Sequence, residues 1–337
     1  VWNNHDAGPR SDRFLDLRGL ITPEEQRQFG KVVIAGFLEA TLKGKKEYLP
    51  MFRDHRTIGA WLPKTMYITR FQDSNFHTLA DYQEDVDVET GSLPGVKIVG
   101  DSLASWKEAV VPMRSRGGDF GTNGAWIGWN NHIAGADTTK MGRPASYSIS
   151  VPDSIRLAWK LDERASLEFS LAPTNVKPGP RKPARDSTKK AGADSAQKTP
   201  APPKRDASKK PAEDTIPIDL SVALVDANGV IASVPLSRYG AVRRPLETHI
   251  LLRADREDQN FSNQFEYVLQ SYVIPIADFL KAEPKLDVTR IIATRFVFDR
   301  VPVGTIILDD IGFSVLDPAF LIAGQTGAAI VPRREQP

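Results

Sequence analysis

Ser102 stands where a nucleophile could: Gly100-Asp101-Ser102-Leu103 follows the mostly apolar run Val96-Lys97-Ile98-Val99, a strand running into a turn. A serine hydroxyl becomes a nucleophile only beside a general base that a third group orients. Histidine is the usual base, and the chain has five: His5, His55, His77, His132 and His249. Trp126 and Trp129 lie in Trp126-Ile127-Gly128-Trp129-Asn130-Asn131. Exposed aromatic rings stack on sugar or polymer rings, and a glycine-rich stretch suits that task. Three residues apart on a strand, the two rings face opposite sides, so at most one is exposed and core packing competes for both. Asp309 and Asp310 are neighbours, and the same alternation sends them to opposite faces. Glu84, Asp85, Asp87 and Glu89 form a charge run, read as a solvated edge or loop.

Bulk composition limits what these residues can serve. At 337 residues the chain suggests two domains, or one large domain with attachments. It is 41% hydrophobic and 26% charged, enough for a sizeable core. A net charge of +2 gives no general nucleic-acid footprint. With no cysteine, disulfides and thiolate metal sites are excluded. The longest apolar run, Val32 to Leu38, is far short of the roughly 18 residues a membrane-spanning helix needs. The compartment stays open, with a secreted or cell-envelope setting favoured.

The elements that must position these residues follow from pattern. Residues 1–20 read as a polar loop. Thr22, Pro23 and Glu25 form an N-terminal cap and capping box for a helix to about Leu42, with Gly44 as its stop. Its middle, Val32-Val33-Ile34-Ala35-Gly36-Phe37-Leu38, is apolar on every face, which predicts burial on all sides. From Trp61 the pattern changes to short strands with turn signals. Strands are expected over Ile155 to Leu161, with Trp159 in the core, and over Ser166 to Leu171, Leu220 to Val225 and Val230 to Leu236. Further strands are expected over Tyr267 to Ile274, Ile291 to Phe298 and Thr305 to Val315, with a short helical turn at Ala277 to Lys281. Asp226-Ala227-Asn228-Gly229 signals a hairpin. Residues 173–215 hold eight prolines, eleven Lys or Arg and no aromatic residue, so they cannot bury enough apolar surface to order themselves. They read as an insertion inside one sandwich, or as a basic arm for an anionic partner. Residues 323–337 read as a second disordered tail.

Several segments resemble known families. Val1-Trp2-Asn3, the Asp6-Ala7-Gly8-Pro9 loop, the capped helix with Phe37-Leu38-Glu39-Ala40-Thr41-Leu42, and Glu47-Tyr48-Leu49-Pro50-Met51-Phe52-Arg53-Asp54 resemble the C-terminal end of bacterial α/β-hydrolases of the dienelactone-hydrolase and polyester-hydrolase type. That resemblance implies that residues 1–60 form the last loop and helix of such a domain, packed on its sheet. It places the Gly-x-Ser-x-Gly elbow, the acid and the triad histidine upstream of Val1; no such elbow occurs in this sequence, and His5 falls on the wrong side of the tryptophan.

Gly304 to Phe313 and Tyr67-Ile68-Thr69-Arg70-Phe71-Gln72-Asp73 resemble the closing and opening strands of a galactose-binding-like jelly roll, the sandwich of many carbohydrate-binding modules. This implies a glycan- or polymer-binding, or domain-packing, sandwich over 61–322. Related sandwiches hold structural calcium near the chain ends, and calcium takes about six to eight oxygen ligands. Asp73 and Asp310 are the pair this resemblance points to, against a carboxylate paired with Arg or bonded to backbone.

Gly100 to Leu103 matches the Gly-Asp-Ser-Leu esterases, whose base comes from Asp-x-x-His. None of the five histidines has that aspartate, and Gly121-Thr122-Asn123 is followed by Gly124 where the family's Gly-x-Asn-Asp block needs aspartate.

The expectation is therefore a mainly β protein, a jelly-roll sandwich with an N-terminal helical segment. Its expected role is the non-catalytic accessory portion of a carboxylic ester hydrolase, partnered by a hydrolase domain and possessing no required cofactor. A free-standing carbohydrate-binding module is the alternative, and a Ser102 esterase the third reading.

Overall fold

The computed structural model describes residues 20–72, 74–113, 118–133, 140–178, 217–247, 265–315 and 317–320. Asp73, His5 and His249 lie outside the described residues, as do residues 1–19, 179–216 and 321–337, on which the loop, most of the basic-tract and the disordered-tail expectations fall.

Helix α1 spans Pro23–Leu42. Its capping box is formed: the Glu25 amide donates to Thr22 Oγ1 at 3.2 Å, and the Thr22 amide to Glu25 Oε2 at 2.8 Å. Lys43 caps its C-terminus, and Gly44 follows at φ +66°, the left-handed turn that glycine adopts without strain. All-round burial does not hold. Ile34, Phe37, Leu38 and Leu42 are exposed, Leu42 at 77%. Gly30 and Gly36 are its buried residues; a Cβ on Gly36 would meet the Met51 side chain of α2 (Pro50–Arg53). Phe29 stacks on Tyr67 at 5.6 Å and ties the helix to the strap that follows, the irregular segment 62–72.

Beyond the strap lies a β-sandwich. One sheet has the order β11 (Gln270–Pro275), β6 (Ser166–Pro173), β13 (Val303–Ser314), β4 (Gly118–Asn130), β3 (Ser105–Met113), with β1 (Phe76–Ala80) also on β13. The other runs β2 (Ile98–Asp101), β5 (Ala145–Ser150), β12 (Ile291–Phe298), β7 (Ser221–Asp226), β8 (Ile231–Pro235). β9 (Leu246–Glu247) and β10 (Phe265–Glu266) form a short ribbon. Pairing is antiparallel throughout the two main sheets. The chain repeatedly changes sheet, as from β4 to β5 to β6 to β7, which is the jelly-roll way of building a sandwich. Trp129, Phe169, Phe296, Phe298 and Phe313 fill the space between the sheets. The protein is thus a mainly β jelly-roll sandwich with an N-terminal helical segment.

The expected strand at 155–161 is a helix, α3 (Asp153–Trp159). Ile155 and Trp159 are four apart and share its inner side, while Leu157 is 67% exposed. Alternation and the i, i+4 pattern coincide over so short a stretch. Pro152 before it and left-handed Lys160 after it decide for the helix. Trp159 packs against the core from outside it, stacked on His77. The short turn near 277–281 is α4 (Ile276–Ala282).

Candidate functional site

On β4 the alternation divides the two tryptophans as expected. Trp129 points inward, fully buried, stacked on Phe298 at 4.4 Å with Nε1 donating to the Val301 carbonyl at 2.8 Å. It has no free face for a ligand, which corrects the candidate role there. Trp126 points outward on the opposite sheet surface and is half-buried.

Trp126 is held by its surroundings. Its Nε1 donates to the Ala109 carbonyl at 3.1 Å, and Tyr267 meets it edge-on at 5.5 Å. The Tyr267 hydroxyl donates to Asn175 Oδ1 at 2.8 Å. The ammonium of Lys107, its cross-strand partner, sits 5.3 Å from the ring centroid. Gly124 and Gly128 flank Trp126 on the same strand face. Pro178 closes over Gly128, 3.2 Å from where a Cβ would stand. Beside it, Thr174 Oγ1 donates to Thr305 Oγ1 and Thr305 Oγ1 to the Val176 carbonyl, both at 2.6 Å. The result is an indole fixed in orientation, with amide, hydroxyl and ammonium groups around it. An indole held this way can stack on an apolar ring face, with the exposed Lys107 ammonium as a donor beside it.

The acidic residues of β13 are not split between faces. A bulge interrupts the β13–β6 register between Asp309 and Gly312, and Asp310 takes φ 50°. Both carboxylates therefore meet one guanidinium: Arg70 donates to Asp310 Oδ2 at 2.5 Å and to Asp309 Oδ2 at 3.0 Å. Thr122 Oγ1 also donates to Asp309, at 3.2 Å. Burial pushes the Asp309 carboxyl up to about 7, the neighbouring Asp310 charge adds to this, and Arg70 opposes it. Arg70 fills the place of a cation, so Asp310 takes the arginine-paired alternative. Asp73 lies outside the described residues, and no group of three or more ligating side chains occurs among those described. The cluster works as a clasp. It fastens the strap across the sheet, with the Phe71 amide donating to Ser271 Oγ at 2.8 Å and the Ser271 amide to the Thr69 carbonyl at 2.9 Å.

Ser102 sits at φ 56° after β2, its hydroxyl donating to Asp101 Oδ1 at 3.0 Å. Asp101 is itself ion-paired with Arg143. Gly100 is packed under Leu103 and Trp106, and Leu103 is buried, so packing accounts for the tetrad. Of the described histidines, His55 lies against Thr69 and Tyr67 and His77 on Trp159.

Pattern reading passed over Glu108. It stands on β3 near the acidic run, and burial, then Glu84, Asp85 and Asp87, raise its carboxyl to about 7. The run itself is tied down: Ser92 Oγ donates to Asp81 and Glu84, and Thr90 Oγ1 to Asp85.

No protein-family model matches the chain, and no curated protein matches its sequence. Among solved structures, a family 30 carbohydrate-binding module aligns at 11% identity and TM-score 0.34, covering 70% of this chain and 97% of that one. A family 11 carbohydrate-binding module from a Clostridium thermocellum cellulosomal cellulase aligns at 12% identity and TM-score 0.29, covering 72% and 96%. An exo-β-agarase aligns at 9% identity and TM-score 0.34 over 72% of this chain, which spans 25% of the agarase's length. At these identities and scores the likeness carries nothing about what this chain binds.

Proposed function

We propose that this chain is a polysaccharide-binding sandwich and that its ligand face is the outer surface of the β3–β4–β13 sheet at Trp126. The observation that supports it is the partly exposed indole, fixed by Ala109 and Tyr267 with the Lys107 ammonium over its ring. The family 30 and family 11 modules bind carbohydrate by name; the weight here rests on Trp126. The test is affinity electrophoresis of the 337-residue protein in gels containing a panel of polysaccharides. Retardation that weakens at least about tenfold in Trp126→Ala, the equivalent of ~1.4 kcal/mol, supports the reading. Unchanged mobility against every polymer sinks it.

A second reading rests on a separate observation, the open apolar stripe of α1 with Ile34, Phe37, Leu38 and Leu42 exposed. An apolar stripe of four exposed large residues on one helix is a surface a partner could cover. In this reading α1 is the last helix of an α/β-hydrolase-type ester hydrolase and lies on that domain's sheet, the sandwich being its accessory portion. Hydrogen exchange on α1 tests it, comparing this chain with the full natural gene product. Protection gained in the latter supports docking; equal exchange in both ends the idea. Under either reading the 337-residue chain hydrolyses no p-nitrophenyl ester, and activity abolished by Ser102→Ala would instead make Ser102 a nucleophile.

A further inference from the structure

Lys107 creates a difficulty for a neutral ligand at Trp126. Its ammonium lies over a face of the ring, 5.3 Å from the centroid. A neutral sugar stacked on that face has to displace the cation and lose the cation–π attraction. A sugar bearing an acid group keeps the ammonium and pairs with it.

A second lysine lies in the segment beside this face. Lys177 is exposed and held between two anchored neighbours. The Val176 carbonyl accepts the Thr305 hydroxyl at 2.6 Å, and Pro178 packs over Gly128, two residues from Trp126 on the same side of β4. Lys107 comes to the face from β3, and Lys177 stands in the segment that crosses β13 at Thr305 to reach Gly128 of β4. Among the described residues neither lysine has a carboxylate partner. Two carboxylates of this sheet, Asp309 and Asp310, are on Arg70. Lys107 and Lys177 add exposed positive charge beside the aromatic platform.

We infer that the polymer taken here is an anionic polysaccharide, a uronate- or sulfate-bearing chain whose ring lies on Trp126 while its acid groups meet Lys107 and Lys177. The inference rests on the proposed polysaccharide-binding role of this face and narrows it to one charge class. Aromatic stacking supplies the contact with the ring. The lysines supply selection, which weakens with salt because they are exposed.

The experiment is affinity electrophoresis of the full 337-residue protein against polygalacturonate, alginate and a sulfated galactan, with agarose and mixed-linkage β-glucan as neutral counterparts. Each is run at low salt and at about 0.5 M NaCl. Retardation is expected in the acidic gels and not in the neutral ones. Lys107→Ala and Lys177→Ala should each weaken it about threefold and the pair about tenfold, as exposed ion pairs of up to ~1 kcal/mol would. Trp126→Ala should abolish it, with a retained cooperative melting transition, at a lower temperature because the indole's packing is lost, showing that the fold survives. Lys107→Glu should reverse the preference between acidic and neutral gels. Retardation by neutral polymers that Trp126→Ala removes and the lysine variants leave intact would overturn the charge assignment and keep the binding role. Acidic retardation indifferent to Trp126→Ala would be charge attraction elsewhere on the chain and would overturn both, as would no retardation in any gel.

Discussion

Asp226 joins three backbone donors through one buried carboxylate. Its Oδ1 accepts the amides of Asn228 and Val230, both at 2.9 Å, and its Oδ2 that of Asp287 at 3.0 Å. Burial pushes this carboxyl up, but those hydrogen bonds outweigh it and hold the group below its ordinary value. Removing the acceptor strands buried amides at about 1–3 kcal/mol each where water does not reach them. Asp226→Ala should therefore lower unfolding stability by about 3 kcal/mol in urea titration; a loss below about 1 kcal/mol would mean that water replaces the carboxylate. Because the folded value is depressed, the carboxylate's contribution is complete above the unfolded value near 4. It is lost as pH falls through the lower folded value. Asp226→Asn should accordingly flatten the acid limb of a stability–pH curve. The turn role of Asp226 was legible in Asp226-Ala227-Asn228-Gly229, since Gly229 takes φ +82°. The bond to Asp287 was not, because no local pattern announces a partner 61 residues away. Likewise, spacing told that Trp126 and Trp129 part company, but only the pairing of β4 with β13 decides which goes inward.

Gly312 controls how one element is attached. β1 pairs with β13 through Thr78 opposite Gly312. A Cβ at 312 would collide with the His77 carbonyl and come 2.7 Å from the Phe76 ring. The obstacle is backbone and cannot swing aside, so Gly312→Ala should detach β1. The expected result is a melting temperature lower by several degrees, with faster hydrogen exchange over 76–80. Unchanged exchange there would show that the strand shifts to make room. Elements with a long, clean period were legible: α1 with its cap, and β12 at the expected residues. The short stretch 155–161 was not, because seven residues fit both periods and the flanking proline and left-handed lysine are needed to choose. Asp309 and Asp310 defeated alternation for a related reason: a bulge adds a residue, and everything after it changes face.

For the whole molecule, the sandwich was foreseeable from strand count and turns. The assignment of strands to sheets was not, since chain order says little about a topology that keeps crossing between layers. α1 reads as a buried helix in sequence and lies open in this chain because a period-free apolar run states only that partners exist, not which. The long-range contacts also place two ionisable carboxyls where sequence gives no warning. Asp309 is fully buried and Glu108 half-buried, and burial raises each to about 7. A raised acid reverses the sign seen at Asp226. Between about pH 4 and 7 the folded chain holds protons that the unfolded chain has released. Stability contributed by these groups therefore falls as pH rises across that window. Below it, loss of the Asp226 contribution pulls stability down. The two trends together predict a maximum on the mildly acidic side. Thermal unfolding should give a higher midpoint at about pH 5.5 than at about pH 8. Asp309→Asn should raise the midpoint at pH 8, because it relieves a buried charge that burial disfavours and gives up the 3.0 Å Arg70 pair while Arg70 stays on Asp310. Adding Glu108→Gln should remove most of the remaining difference between the two pH values. A double variant with the parent's full pH dependence would assign it to other groups, and a lower midpoint for Asp309→Asn at pH 8 would show that the Arg70 pair outweighs the burial of Asp309.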